Sequence, residues 1–245
     1  VICYGDSSGK AISNVQGGQF PYIYAWDNGD STQMSSTLWA GWHYVTLTDA
    51  NNCSLIDSIE IINVNQEIQG TVTIIQDVSC FNGCDGIAQL YSTGGVLQHT
   101  YFWDNGQTYF GSGPDTASNL CFGGHDIIIE DLEGCRKTIQ FNIEQPTELF
   151  AQATIVQPVQ CFGFDDGIAF GTATGGTPPY TYVWDSINGQ SGQNANNLTP
   201  GVHVLYVSDS KGCTAQDTVV ITEPDELSVS IDDTMTIYSY CSGTS

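Results

Sequence analysis

The sequence predicts an all-β fold of tandem immunoglobulin-like β-sandwich modules forming an elongated array, and three observations carry that expectation. One set of landmarks recurs three times at roughly 80-residue intervals, the signature of a repeat architecture. Apolar and polar residues alternate with period two, and no long stretch shows a 3.6-residue stripe. Nine cysteines occupy repeating places, which reads as a disulfide framework made in an oxidising compartment. Buried cytosolic thiols or metal ligands are the alternative.

The first copy carries Gly17-Gly18, Tyr24, Trp26-Asp27-Asn28-Gly29, Gly41, His43, Asp49 and Cys53. The second repeats the order as Gly94-Gly95, Tyr101, Trp103-Asp104-Asn105-Gly106, Gly123, His125, Asp131 and Cys135. The third reads Gly175-Gly176, Tyr182, Trp184-Asp185, Gly201, His203, Asp209 and Cys213. Residues 1–65 are therefore expected to form a first module whose N-terminal strand is missing, 66–146 a second, 147–224 a third, and 225–245 the start of a fourth. This phasing expects both ends to be cuts within a longer array. Glu144-Gln145-Pro146 and Thr222-Glu223-Pro224 read as short hinges that restrict bending.

Within the third copy the alternation places strands at Glu148–Ile155, Ile168–Ala173, Tyr180–Trp184, Val202–Ser208 and Thr218–Ile221, with Glu226–Ile231 opening the next unit. Turn signals separate them: Asp166-Gly167, Gly175-Gly176, Asn188-Gly189, Pro200-Gly201 and Lys211-Gly212. Short strands punctuated in this way mean a sandwich or barrel. The Asn28-Gly29 and Asn105-Gly106 dipeptides predict tight hairpins with positive φ. In Val202–Ser208 and its equivalents, His43, Val45 and Leu47 share one face, as do His203, Leu205 and Val207. That face points at the core, with His43, His125 and His203 as structural, hydrogen-bonded residues at its rim. A metal site built from the three is disfavoured because each belongs to a different module. His99 has no counterpart and reads as a surface or turn residue. Trp26, Trp103 and Trp184 are expected between the sheets, whereas Trp39 and Trp42 have weaker claims to burial and are candidates for a contact surface.

The expected disulfides are Cys3 with Cys53, Cys80 with Cys135 and Cys161 with Cys213, each closing a loop of roughly 50 residues worth about 4 kcal/mol in chain entropy. Cys84 and Cys121 occur only in the middle copy, present together and missing together elsewhere, which suggests a private second disulfide. Cys241 is left unpaired, the period placing its partner beyond the last residue.

A formal charge of −23, from 27 acidic and 4 basic residues, argues against nucleic acid or an anionic membrane as partner. No apolar run is long enough to span a bilayer, so no direct membrane insertion is expected. Calcium is a candidate cofactor at Asp49, Asp131, Asp209, Asp85 and Asp166, with turn capping through side-chain carboxylates as the competing reading. No hydrolase, P-loop, zincin or dinucleotide fingerprint is present. The chain is expected not to be an enzyme and to need no cofactor.

Cys161, Asp166-Gly167, Gly175-Gly176-Thr177-Pro178-Pro179-Tyr180-Thr181-Tyr182-Val183-Trp184, Gly201 and Asp209-Ser210-Lys211-Gly212-Cys213 together resemble the SprB repeat of large cell-surface proteins of the Bacteroidetes, including the mobile adhesin of gliding bacteria. Histidine stands where that family usually has tyrosine at His43, His125 and His203. Gln98-His99 replaces Pro-Tyr, and Ser8-Gly9 replaces Asp-Gly. The resemblance implies secretion through the type 9 system, an extracellular location on the bacterial cell surface, and a role in adhesion or gliding. A surface polysaccharide or other extracellular polymer is then the expected partner, beside neighbouring modules of the same chain. A passive stalk presenting a distal binding domain, or an accessory region of a large secreted enzyme, are the alternatives.

Overall fold

The structure, a computed structural model, describes residues 1–185 and 189–231. Among these every regular element is a strand, and no helix is long and apolar enough to cross a membrane. The chain forms two compact units, Val1–Gln145 and Pro146–Ser245. The first unit contains two β-sandwiches and the second contains one.

In the first sandwich β1 (Gly9–Ile12) pairs with β3 (Met34–Leu38), and β4 (Gly41–Thr48) lies between β2 (Ile23–Trp26) and β5 (Ser54–Ile61). In the second, β7 (Gly86–Thr93) is flanked by β6 (Gln69–Gln76) and β10 (Asp115–Leu120). Its facing sheet runs β12 (Arg136–Ile143), β11 (Gly123–Glu130), β8 (His99–Trp103), β9 (Thr108–Gly111). The third has β14 (Gly167–Thr174) between β13 (Phe150–Gln157) and β16 (Asn194–Leu198), facing β17 (Gly201–Ser208) between β15 (Thr181–Trp184) and β18 (Thr214–Ile221). All pairings are antiparallel. The sheet containing β1 has two strands because nothing among the described residues corresponds to β6 or β13.

One register recurs in every module. Gly41 pairs with Ile61, Gly123 with Ile143 and Gly201 with Ile221, and each ladder closes at the turn before Cys53, Cys135 or Cys213. At the glycine opening β1, β7 and β14 the facing sheet leaves no room for a side chain. A Cβ on Gly86 would stand 2.9 Å from both Ile143 Cγ2 and the Leu120 carbonyl oxygen. On Gly167 it would stand 2.8 Å from Ile221 Cγ2 and the Leu198 carbonyl oxygen. The aspartate or serine before that glycine varies, but the space for the opposing isoleucine does not.

Each core is built around its tryptophan. Trp26 packs with Ala11, Leu38 and Val45; Trp103 with Tyr101, Leu90, Ile127 and Ile129; Trp184 with Leu205, Val207 and Ile221. Burying one such aliphatic side chain contributes about 1.5–3 kcal/mol. The first module has the smallest set, in keeping with its two-stranded sheet.

Two strand expectations differ from the structure. Glu226–Ile231 forms no strand. Conversely, β3, β10 and β16 are not signalled by alternation, because their buried residues lie three apart: Ser35 and Leu38, Ala117 and Leu120, Ala195 and Leu198. A register shift interrupts each of these strands, and Asn119 and Asn197 take φ of 58° and 55° within two of them. In the Asn-Gly hairpins only the glycine takes positive φ, 92° at Gly29 and 87° at Gly106. The Asn28 and Asn105 side-chain oxygens instead accept from the Asp30 and Gln107 N–H groups.

Candidate functional site

The residues that invite a chemical reading are held by the backbone around them. Asp49, Asp131 and Asp209 each join two turns. One carboxylate oxygen of Asp209 accepts from the Lys211 and Cys213 N–H groups at 2.9 Å, and the other accepts from Thr177 N–H at 2.8 Å. Asp131 does the same with Glu133, Cys135 and Val96, and Asp49 with Asn51, Cys53 and Gln19. The reach across is short because the second glycine of each pair has no side chain: a Cβ on Gly176 would lie 2.7 Å from Asp209 Oδ2. The Gln19, Cys53 and Asn51 N–H donors hold the Asp49 carboxyl below its ordinary pKa. At Asp209 burial pushes upward, but the donors outweigh it and the pKa is lowered.

The histidines form a second recurring device. His43 Nδ1 lies 3.0 Å from Asp27 Oδ1 and Nε2 lies 2.9 Å from the Trp39 carbonyl oxygen. His125 repeats this with Asp104 at 2.9 Å and the Cys121 carbonyl at 2.7 Å, and His203 with Asp185 at 2.6 Å and the Thr199 carbonyl at 2.9 Å. Neither partner can donate, so both contacts are hydrogen bonds only when both ring nitrogens carry protons. Burial pushes the pKa of His125 and His203 down, but the carbonyl and carboxylate acceptors outweigh it and both are raised. His43 is fully buried rather than at the rim. His99 also departs from expectation: it is 1% exposed, on β8 in phase with Tyr101 and Trp103, and its Nδ1 lies 2.7 Å from Ser92 Oγ. In the flanking modules Tyr22 and Tyr180 instead donate to the Gly17 and Gly175 carbonyls.

The disulfides correct the expected pairing. Cys3 is bonded to Cys135 across the two modules of the first unit, with Cα atoms 5.4 Å apart. Cys53 and Cys161 are free and exposed, while Cys80 and Cys213 are each in a disulfide. The pairs Cys3–Cys53, Cys80–Cys135 and Cys161–Cys213 are therefore not formed. The reason is the length of one strand. Cys53, Cys135 and Cys213 immediately precede β5, β12 and β18, whereas the turns of Cys3, Cys80 and Cys161 lie near their far ends. There the Val1 ammonium donates to the Ile62 carbonyl, Val78 N–H to that of Glu144, and Val159 N–H to that of Thr222. Eight residues of strand separate the two poles by about 25 Å, and a disulfide requires Cα atoms within about 7 Å. Cys84 and Cys121 are bonded to each other where Gly86 pairs with Leu120. Cys241 lies outside the described residues.

The five calcium candidates are dispersed among turns. Asp85 and Asp166 accept from the Ser79 and Gln160 N–H groups. Among the described residues no three acidic, histidine or cysteine side chains are gathered to hold a metal. Trp26, Trp103 and Trp184 are buried, while Trp39 packs edge-on against His43. Trp42 and Tyr44, two apart on β4, are 57% and 51% exposed. Ile23 on β2 and Ile56 on β5 are exposed on the same sheet.

No curated protein matches the chain. Among solved structures, a C-terminal 282-residue fragment of intimin, in complex with the intimin-binding domain of its translocated receptor, is 17% identical with a TM-score of 0.32. The match covers 63% of this chain and 64% of the intimin fragment. Extracellular domains 3–5 of Drosophila OTK are 11% identical over 89% of this chain and 92% of that one, with a TM-score of 0.27. A tetra-tandem repeat from the extending region of a large adhesion protein is 11% identical over 83% and 67%, with a TM-score of 0.25. The family model described as the SprB repeat matches three successive segments of this chain, residues 1–31, 72–108 and 153–189.

Proposed function

We propose that this chain is the repeat region of a secreted adhesin, displayed outside a bacterial cell after type 9 export and serving surface attachment or gliding. It works without catalysis or a cofactor, by presenting surface. The observation that carries this reading is the exposed aromatic pair on β4. Trp42 and Tyr44 point to the outer face of the β2-β4-β5 sheet, with Glu60 and Ser58 opposite them as hydrogen-bonding neighbours. Flat rings beside polar groups suit stacking against the sugar faces of an extracellular polysaccharide. The charge of −23 suits a neutral polymer better than an anionic one.

A stalk reading is favoured by the other two modules, where the equivalent positions are Gly124 and Asp126, and Val202 and Val204. Polysaccharide pull-down with the whole chain separates the two. Retention that falls at least tenfold in W42A/Y44A supports adhesion through the first module, and retention no better than an unrelated acidic protein leaves the stalk.

A further inference from the structure

Every module carries a repeating cysteine at each pole, and the Cys3–Cys135 bond shows what the two kinds do when they meet. We infer that Cys161 and Cys53 are the two open halves of this same joint, which close on each other as a disulfide between two copies of this chain. Cys161 is the donor half. Its turn, in which Phe164 N–H donates to the Cys161 carbonyl, repeats the Cys3 turn, in which Asp6 N–H donates to the Cys3 carbonyl. Cys53 is the acceptor half. Its N–H donates to Asp49 Oδ1 at 2.9 Å and its carbonyl accepts from Asp49 N–H at 3.0 Å; Cys135 makes the same pair of contacts with Asp131 at the same distances.

At the closed joint Ile2 and Tyr4, on either side of Cys3, line a groove with Ile68, Asp131 and Cys135. At the open donor half Phe162 and Phe164 hold the places of Ile2 and Tyr4 and are exposed to the same extent, 50% and 57%. What differs is the cysteine itself: Cys135 is buried and bonded to Cys3, whereas Cys53 and Cys161 are exposed and free.

Closure needs a disulfide oxidant. The Cys161 thiolate attacks one sulfur of an oxidised low-molecular-weight thiol and expels the other as thiolate; the Cys53 thiolate of the second copy then attacks the Cys161 sulfur and expels the remaining one. Two protons leave the cysteines, and two electrons reduce the oxidant to two thiols.

The test uses two full-length variants, C53S/C241S and C161S/C241S, incubated in oxidised glutathione separately and mixed, with non-reducing electrophoresis and mapping of crosslinked peptides. Both should retain the Cys3–Cys135 peptide, which reports folding. The mixture should form a covalent dimer carrying a Cys53–Cys161 peptide at least tenfold faster than either variant dimerises with itself. Self-dimers forming as fast as the mixed dimer, or no mixed dimer at all, overturn the inference.

Discussion

Asp209 and His203 show how single residues here serve the scaffold while resembling a ligand set. Replacing Asp209 by alanine removes a charged acceptor from three N–H groups and should cost about 2–3 kcal/mol, measured by chemical denaturation. D209N, which keeps an acceptor oxygen, should lose less. The histidines set a pH dependence of definite sign. With folded pKa raised at His125 and His203, their stabilisation is complete below the unfolded value of about 6.5 and is lost as pH rises through the folded one. At Asp49 and Asp209 the folded pKa is lowered. Their contribution is present above the unfolded value of about 3.9 and is lost as pH falls through the folded one. Thermal unfolding should therefore be most resistant between roughly pH 4 and 6.5. In H125Q/H203Q the loss of Tm from pH 6 to 8.5 should shrink; an unchanged loss would refute the assignment.

At the scale of the element, the sheets touch through a missing side chain. A methyl group at Gly86 meets a backbone oxygen as well as Ile143, so shortening Ile143 cannot relieve it. G86A should destabilise the second module by about 1–3 kcal/mol, and by as much again in an I143A background, where the Cγ2 methyl is gone. A G86A penalty that vanishes between I143A and G86A/I143A would show that the carbonyl contact is not limiting. The hidden strands β3, β10 and β16 belong to the same scale. Their polar sequences alternate poorly because a register shift, joined in β10 and β16 by a left-handed asparagine, displaces the second buried position by one.

For the whole molecule the inter-module bond is the feature with the largest consequence. It closes 132 residues of chain, for which the loop-entropy estimate is about 5 kcal/mol. It ties the first module, with the smallest core, to its larger neighbour in the same unit. C135S should lower the unfolding midpoint of the first module far more than that of residues 146–245, read by protease protection of peptides from each. Equal loss in both would contradict this, as would a Cys3–Cys53 peptide in the unreduced parent protein.

The repeat, the strands that alternate, the buried tryptophans and the turn aspartates were legible in the sequence, because each depends on spacing within a few residues. The cysteine pairing was not. Spacing along the chain cannot show that eight residues of strand hold two cysteines at opposite poles of one sandwich, nor that Cys135 stands beside the Cys3 turn of the module before it. His99 was misplaced for a related reason: Gln98 turns with φ of 81° and sets the phase of β8 so that the histidine faces inward. Local pattern determined what each module is, and only the packing of complete sheets decided which side chains meet across it and between modules.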